Sequence, residues 1–220
     1  NATICTASVL SPVTCLTAAH CVADDNGNAQ NPSYVGMVLG TLSADGTGGL
    51  IASVAEIIVH PNYNEGGTLQ NDIAIVKLSS PVVFTEKIQP VCLGSAPPPF
   101  SKCTISGWGK FLHILGVSNV LRYSPHQIVY FDFICKIGYS NFNPTTQLCI
   151  EGLGLGSCNG DSGGPLVVQR NNRLEQIGVV SYGRPVICNA PIIGLVVYTE
   201  VYAFRDWVLQ VSNDPQICIA

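Results

Sequence analysis

The chain has 220 residues, room for one large domain or two small ones. Only 11% of them are charged, against a usual ~25%, while 47% are hydrophobic, which excludes a disordered chain and a nucleic-acid binder resting on a basic surface. The net charge of −4 is lopsided: residues 1–76 hold six carboxylates (Asp24, Asp25, Asp45, Glu56, Glu65, Asp72) and no Lys or Arg, and no apolar run approaches the ~18 residues of a membrane span.

Asn1-Ala2-Thr3 at the start matches a glycosylation sequon, and neither an initiating Met nor a signal segment precedes it, so residue 1 reads as a processed or truncated start. Strands are predicted at 34–39, 51–59, 73–78, 103–106, 165–168, 176–182 and 194–201. These runs are rich in Val, Ile and Tyr and bounded by Gly, Pro, Asn and Ser. Such spacing points to an all-β barrel or sandwich. The Pro-rich stretch at 95–100 cannot join a central strand or a helix interior and reads as a connector between two halves. Helical periodicity is convincing over 202–211, where Phe204, Trp207, Val208 and Val211 share a face. The ten cysteines are even in number, and no two have the spacing of about two to four residues that zinc knuckles use. Disulfides and an oxidising compartment follow.

Three segments carry chemistry: Thr17-Ala-Ala-His20-Cys21, Asn71-Asp72-Ile-Ala-Ile75 and Gly160-Asp161-Ser162-Gly-Gly-Pro165. Singly, each has an ordinary reading: a core histidine, a turn aspartate, a tight glycine turn. Together, in this order, they resemble the His, Asp, Ser sequence of the chymotrypsin-like serine proteases. The resemblance extends to Cys5-Thr-Ala-Ser-Val-Leu-Ser-Pro12, His60-Pro-Asn-Tyr-Asn64, Ile105-Ser-Gly-Trp-Gly109, Ser181-Tyr-Gly183, and Val197-Tyr198 with Trp207. A lipase or esterase of the α/β-hydrolase type has its Ser before Asp and His, so the order excludes it.

The resemblance implies an all-β fold of two six-stranded antiparallel Greek-key barrels with a C-terminal α-helix, the first barrel N-terminally incomplete. The single peptidase domain, 1–220, would divide into an N-terminal barrel (1–94), a connector (95–102), a C-terminal barrel (103–201) and a helix with its tail (202–220). It implies a secreted endopeptidase acting on proteins or peptides, with no cofactor, nucleic acid or membrane partner. Ser162 would be the nucleophile, since a hydroxyl needs a base within hydrogen-bond reach. His20 would be that base and Asp72 would hold its tautomer. The Gly160 and Ser162 amides would form the oxyanion hole. His60, His113 and His126 lie in none of the three catalytic segments.

Substrate binding is expected at Gly156, Ser157, Asn159, Ser181, Tyr182, Gly183 and Val196. Gly156 puts no carboxylate at the pocket floor, so Lys or Arg before the cut is disfavoured. Val196 would shorten the pocket and Gly183 leaves its entrance open, which implies a neutral residue, aromatic or aliphatic. No metal is expected: the loop 41–53 offers only Asp45, where calcium would want several carboxylates.

The family's Ile-Val-Gly-Gly-like start does not precede Cys5 in this sequence. Its α-amine pairs with the residue matching Asp161, which is therefore linked to activation. The segment is a separate cleaved chain, an unordered part, or absent; only absence makes an inactive, zymogen-like protein the expectation. By resemblance, Cys5–Cys21, Cys135–Cys149 and Cys158–Cys188 are bridges. Cys103 faces a position where the family has cysteine and this chain has Val168. Cys15, Cys92, Cys103 and Cys218 allow three pairings, and a light chain or pro-segment linked through Cys92 is expected. The rival reading is a catalytically silent homologue that binds or regulates.

Overall fold

A computed structural model describes residues 5–110, 118–152, 157, 160–183 and 194–220. The first half builds five strands: β1 (Ser8–Val9), β2 (Thr14–Thr17), β3 (Gly36–Leu39), β4 (Leu50–Val59) and β5 (Ala74–Leu78). They pair antiparallel in the order β1-β2-β5-β4-β3, an open half-barrel sheet, and the short helix α1 (Ala19–Val22) follows β2. The strand predicted from residue 34 starts two residues later, because Pro32–Tyr34 forms a 3₁₀ turn whose first free amide, Ser33 N–H, is taken by Asn31 Oδ1 at 3.0 Å.

The second half contains β6 (Cys92–Leu93), β7 (Lys102–Gly107), β8 (Arg122–Val129), α2 (Asp132–Gly138), β9 (Gln147–Gly152), β10 (Pro165–Arg170), β11 (Arg173–Gly183), β12 (Gly194–Glu200) and α3 (Val201–Ser212). Six of the strands close a ring, β7-β8-β9-β12-β11-β10 and back to β7, every pair antiparallel. Strand β6 adds to its outside, parallel to β11. The chain thus folds as a half-barrel, a closed six-stranded barrel and a C-terminal helix, the architecture implied by the resemblance. Strand β8 lies outside the runs read as strands from the sequence, and it contains a proline. Here Pro125 lies where the β7–β8 register shifts between Cys103 and Ile105, a bulge that tolerates the missing N–H.

Three large cores, with a smaller cluster of Cys135, Phe142, Cys149 and Val197, hold these pieces. Cys15, Leu39, Val54, Ile57, Val76 and Leu78 fill the half-barrel. Cys103, Ile105, Ile150, Leu166, Ile177 and Tyr198 fill the closed barrel. Between them, Leu16, Ile73, Ile75, Leu93 and Val179 pack against Phe204 and Val208 of α3. Strand β5 buries Ala74, Val76 and Leu78 inside the half-barrel and Ile75 toward the shared layer, so its first three residues are apolar without alternation, while Lys77 is part-buried and donates to the Ser212 carbonyl. Among the described residues no helix is long and apolar enough to cross a membrane.

Cys5–Cys21 and Cys135–Cys149 are bridged, as the resemblance implied. Cys158 and Cys188 lie outside the described residues, as do Asn1 and His113. The Cys92 expectation is corrected: its sulfur is bonded to Cys218, so it is not available to a light chain or pro-segment. The physical reason is the path of the tail after α3. Leu93 N–H donates to Cys218 O at 2.8 Å and Ala220 N–H to Leu93 O at 3.0 Å, which lays the tail along β6. Cys15 and Cys103 are buried thiols, one in each barrel core, and burial pushes both up to about 12.

Candidate active site

Asp72 enters the shared core directly before β5. The preceding Asn71 takes a left-handed φ of +54°, a conformation asparagine tolerates, and its side chain donates to Asn62 O at 2.7 Å. This turn delivers a fully buried carboxylate, which must be bonded to be tolerable. Oδ1 accepts His20 N–H at 2.9 Å; Oδ2 accepts the Ser181 hydroxyl at 2.6 Å and lies 2.7 Å from His20 Nδ1. Thr199 donates its hydroxyl to the Asp72 carbonyl at 2.8 Å. The imidazole is therefore fixed at Nδ1 and presents Nε2. Burial alone would lower the His20 pKa, but the Asp72 hydrogen bond and negative charge outweigh it, and the result lies above the ordinary 6.5.

Ser162 sits between β9 and β10, in the second half of the chain. Gly160 at φ +104° and Gly163 at φ +78° use conformations that L side chains rarely adopt. A Cβ on Gly163 would collide with Thr17 Oγ1 and the Thr6 carbonyl. The turn is tied to the half-barrel by Thr6, whose N–H donates to Ser162 O at 2.8 Å and whose hydroxyl donates to Gly160 O at 3.1 Å. Gly163 N–H to Val180 O at 2.9 Å ties it to the barrel. Thr6 adjoins Cys5, whose partner Cys21 adjoins His20, so two bonds and a disulfide connect the serine turn to the imidazole.

Among the described residues, the Gly160 and Ser162 amides donate no hydrogen bond, so both are available to an oxyanion. No hydrogen bond joins Ser162 Oγ to His20; Nε2 instead has Cys21 Sγ at 3.8 Å. Such contacts are commonly long before substrate binds and tighten in the complex. Cys5, His20 and Cys21 cluster at metal-ligand distance, but both sulfurs are spent in the disulfide and do not ligate as thiolates.

Asp161 turns its carboxylate onto the segment before and after Trp108. Gly109 N–H donates to Oδ1 at 2.8 Å, and a Cβ on Gly107 or Gly109 would collide with the carboxylate. The expected pocket residues divide. Gly183 and Val196 are cross-strand partners, with the Val196 methyl 3.5 Å from where a Gly183 Cβ would sit. Tyr182 stacks edge-on against Tyr139 at 5.4 Å and donates to Gln147 Oε1 at 3.3 Å, and burial pushes its phenol up to about 12. The hydroxyl of Ser157 bonds that of the buried Tyr198, while that of Ser181 holds Asp72. Gly156 and Asn159 lie outside the described residues. His60 is an aromatic packing residue, 5.1 Å from Phe204 and 4.9 Å from Trp207.

Thr6 and Thr199 belong to this constellation without having been singled out from the sequence. Single threonines near or in strands carry no spacing signal; only the family's fuller pattern around Cys5 pointed toward the first of them. A comparison with protein-family models finds the Trypsin model matching residues 1–208.

Proposed function

The chain belongs to the trypsin family, and from that premise we propose that it is a secreted serine endopeptidase working through His20, Asp72 and Ser162. One observation carries the reading: a wholly buried Asp72 fixes His20 through both its N–H and Nδ1, and among the described residues the Gly160 and Ser162 amides donate no bond. In this mechanism Ser162 Oγ attacks the carbonyl carbon of the scissile bond as His20 Nε2 takes its proton. The carbonyl oxygen becomes an oxyanion held by the Gly160 and Ser162 amides. His20 passes its proton to the leaving amine, the C–N bond breaks and an ester on Ser162 remains. Water, deprotonated by the same nitrogen, then hydrolyses the ester and restores the hydroxyl.

The residue before the cut is neutral, aromatic or aliphatic, on this reading. Val196, cross-strand from Gly183, supports a pocket shortened by its methyls and carrying no charge there. Asp161 is the activation-linked carboxylate, with Gly107 and Gly109 making room for it. Secretion is supported by three disulfides, which need an oxidising compartment.

The test is labelling by a peptidyl phosphonate, which requires a nucleophile, an activated base and an oxyanion hole together. Stoichiometric labelling of the protein and none of Ser162→Ala is the expected result. Undiminished labelling of the variant overturns the assignment. The unbonded Ser162 Oγ favours a second reading, a silent homologue that binds without cleaving. Absence of labelling in the folded protein would select it.

A further inference from the structure

Thr6 meets the serine turn with its backbone and with both branches of its side chain. Its N–H donates to Ser162 O at 2.8 Å and its hydroxyl to Gly160 O at 3.1 Å. Its Cβ and its methyl carbon each lie 3.3 Å from where a Cβ on Gly164 would sit. On its other side, the Thr6 carbonyl accepts the Thr17 hydroxyl at 2.9 Å, from the segment that leads to His20. Thr6 is buried, so packing on one branch and a hydrogen bond on the other set the rotamer of this β-branched side chain.

Carbonyls and amides of the turn differ in how they are held. Gly160 O accepts the Thr6 hydroxyl, Asp161 O accepts Gly164 N–H at 2.9 Å, and Ser162 O accepts Thr6 N–H. The Gly160 and Ser162 N–H groups donate no bond among the described residues. Bonds from backbone amides can be supplied by any residue but proline. The bond to Gly160 O comes from a side chain, and so depends on which residue stands at Thr6. It also falls where the backbone is softest, since Gly160 at φ +104° has no Cβ to limit its torsions. Holding the Gly160 carbonyl fixes the peptide plane that follows Gly160 and leaves φ alone to aim the N–H that precedes it. With that bond gone both torsions are loose, and a donor that swings stabilises an oxyanion less than a fixed one.

We propose that the Thr6 hydroxyl is a positioning group for the oxyanion hole, holding the Gly160 carbonyl so that the Gly160 N–H stays aimed at the developing negative charge. The inference rests on the peptidase reading. Thr6 acts through Gly160 and is a positioning residue, not a catalytic one. It makes the half-barrel a contributor to oxyanion stabilisation as well as to the base.

The experiment compares Thr6→Val, which keeps the branched shape and the backbone N–H without a hydroxyl, with Thr6→Ser, which keeps the donor. Active sites are counted by phosphonate titration run to completion. Then kcat and KM are measured on a peptide amide with a neutral residue before the cut, and Ki on the peptide boronate of the same sequence. Bonded to Ser162 Oγ, the boronate is tetrahedral and anionic, so its affinity reads the oxyanion hole. Thr6→Val lowers kcat per titrated site by about tenfold, a fraction of the ~10²–10³ that loss of a whole oxyanion donor costs, with KM within about twofold. The boronate Ki rises by the same factor, and Thr6→Ser recovers most of both losses. The acid limb of the pH profile stays in place, because Asp72 still holds His20; a disturbance passed through Cys5–Cys21 to the imidazole would move it. Should Thr6→Val fail to fold, Thr6→Ala is read in the same way; if neither folds, Thr6 is a folding residue and the positioning role falls. An unchanged kcat in folded Thr6→Val, an equal loss in Thr6→Ser, a boronate Ki that does not move or a displaced acid limb each overturns the positioning role and leaves the peptidase reading standing. An unaltered protein that takes no phosphonate overturns that reading, and this inference with it.

Discussion

From the half-barrel come His20 and Asp72, an acid whose two oxygens are both bonded; from the closed barrel comes the turn around Ser162, whose amides at 160 and 162 are not. The first region fixes a charge in place and the second leaves donors vacant for a charge still to form. The strand patterns suit these tasks. Strand β5 is largely buried and anchors Asp72, while the turn before β10 takes positive φ at Gly160 and Gly163. The difference teaches that, on the proposed reading, the two halves carry separable work, holding the base and receiving the oxyanion, joined by Thr6, Ser181 and Thr199.

The comparison breaks most sharply at the reacting atoms. Ser162→Ala or His20→Ala should lower kcat by about 10⁶ while circular dichroism stays native, since neither side chain belongs to a hydrophobic core. Asp72→Asn should cost about 10⁴ in kcat, because the amide stabilises the wrong tautomer. Its pH profile sharpens the point. His20 must be neutral to accept a proton, so activity rises with pH through its raised pKa, giving an acid limb with its midpoint above 6.5. In Asp72→Asn only burial remains, and the midpoint moves down. The same shift has a stability sign: the Asp72 contact with protonated His20 stabilises the fold below the unfolded pKa, and this is lost as pH rises through the folded one.

Stability tests follow. Removing the Cys92–Cys218 bridge by Cys218→Ser with Cys92→Ser should cost up to about 4 kcal/mol, because the closure spans 126 residues. Denaturant midpoints with phosphonate titration at low denaturant check that activity per folded molecule is retained. Ile75→Ala, in the layer shared by both barrels, should cost about 2–5 kcal/mol. A broadened, two-step transition there would show the halves uncoupling. Smallest is Ser181→Ala: it leaves Asp72 Oδ2 short of one donor, worth about 1–3 kcal/mol, read as about tenfold or more in kcat/KM.

The three motif residues were legible because their neighbours are constrained: Gly163 has no room for a Cβ, and Cys21 must reach Cys5. The roles of Ser181, Thr6 and Thr199 were not legible as contacts to Asp72 and the Ser162 turn, since one hydroxyl in a strand looks like any other. The seven-residue α2 is too short to show a period, and β8 was not among the runs read as strands; its Pro125 lies at a register shift. Cys92 was misread because its partner depends on where the tail runs after α3, which is a tertiary fact.

The two buried thiols, Cys15 in the half-barrel core and Cys103 in the closed barrel, turn the molecule into its own reporter. A thiol held to about 12 and out of solvent is nearly inert to alkylation until its surroundings open. Each barrel thus carries a clock that starts only when that barrel breathes, and mapping the alkylated peptides by mass reads the two clocks separately. Equal rates mean the halves open as one cooperative unit; a faster Cys15 means the open-edged sheet loosens while the ring of six strands stays shut.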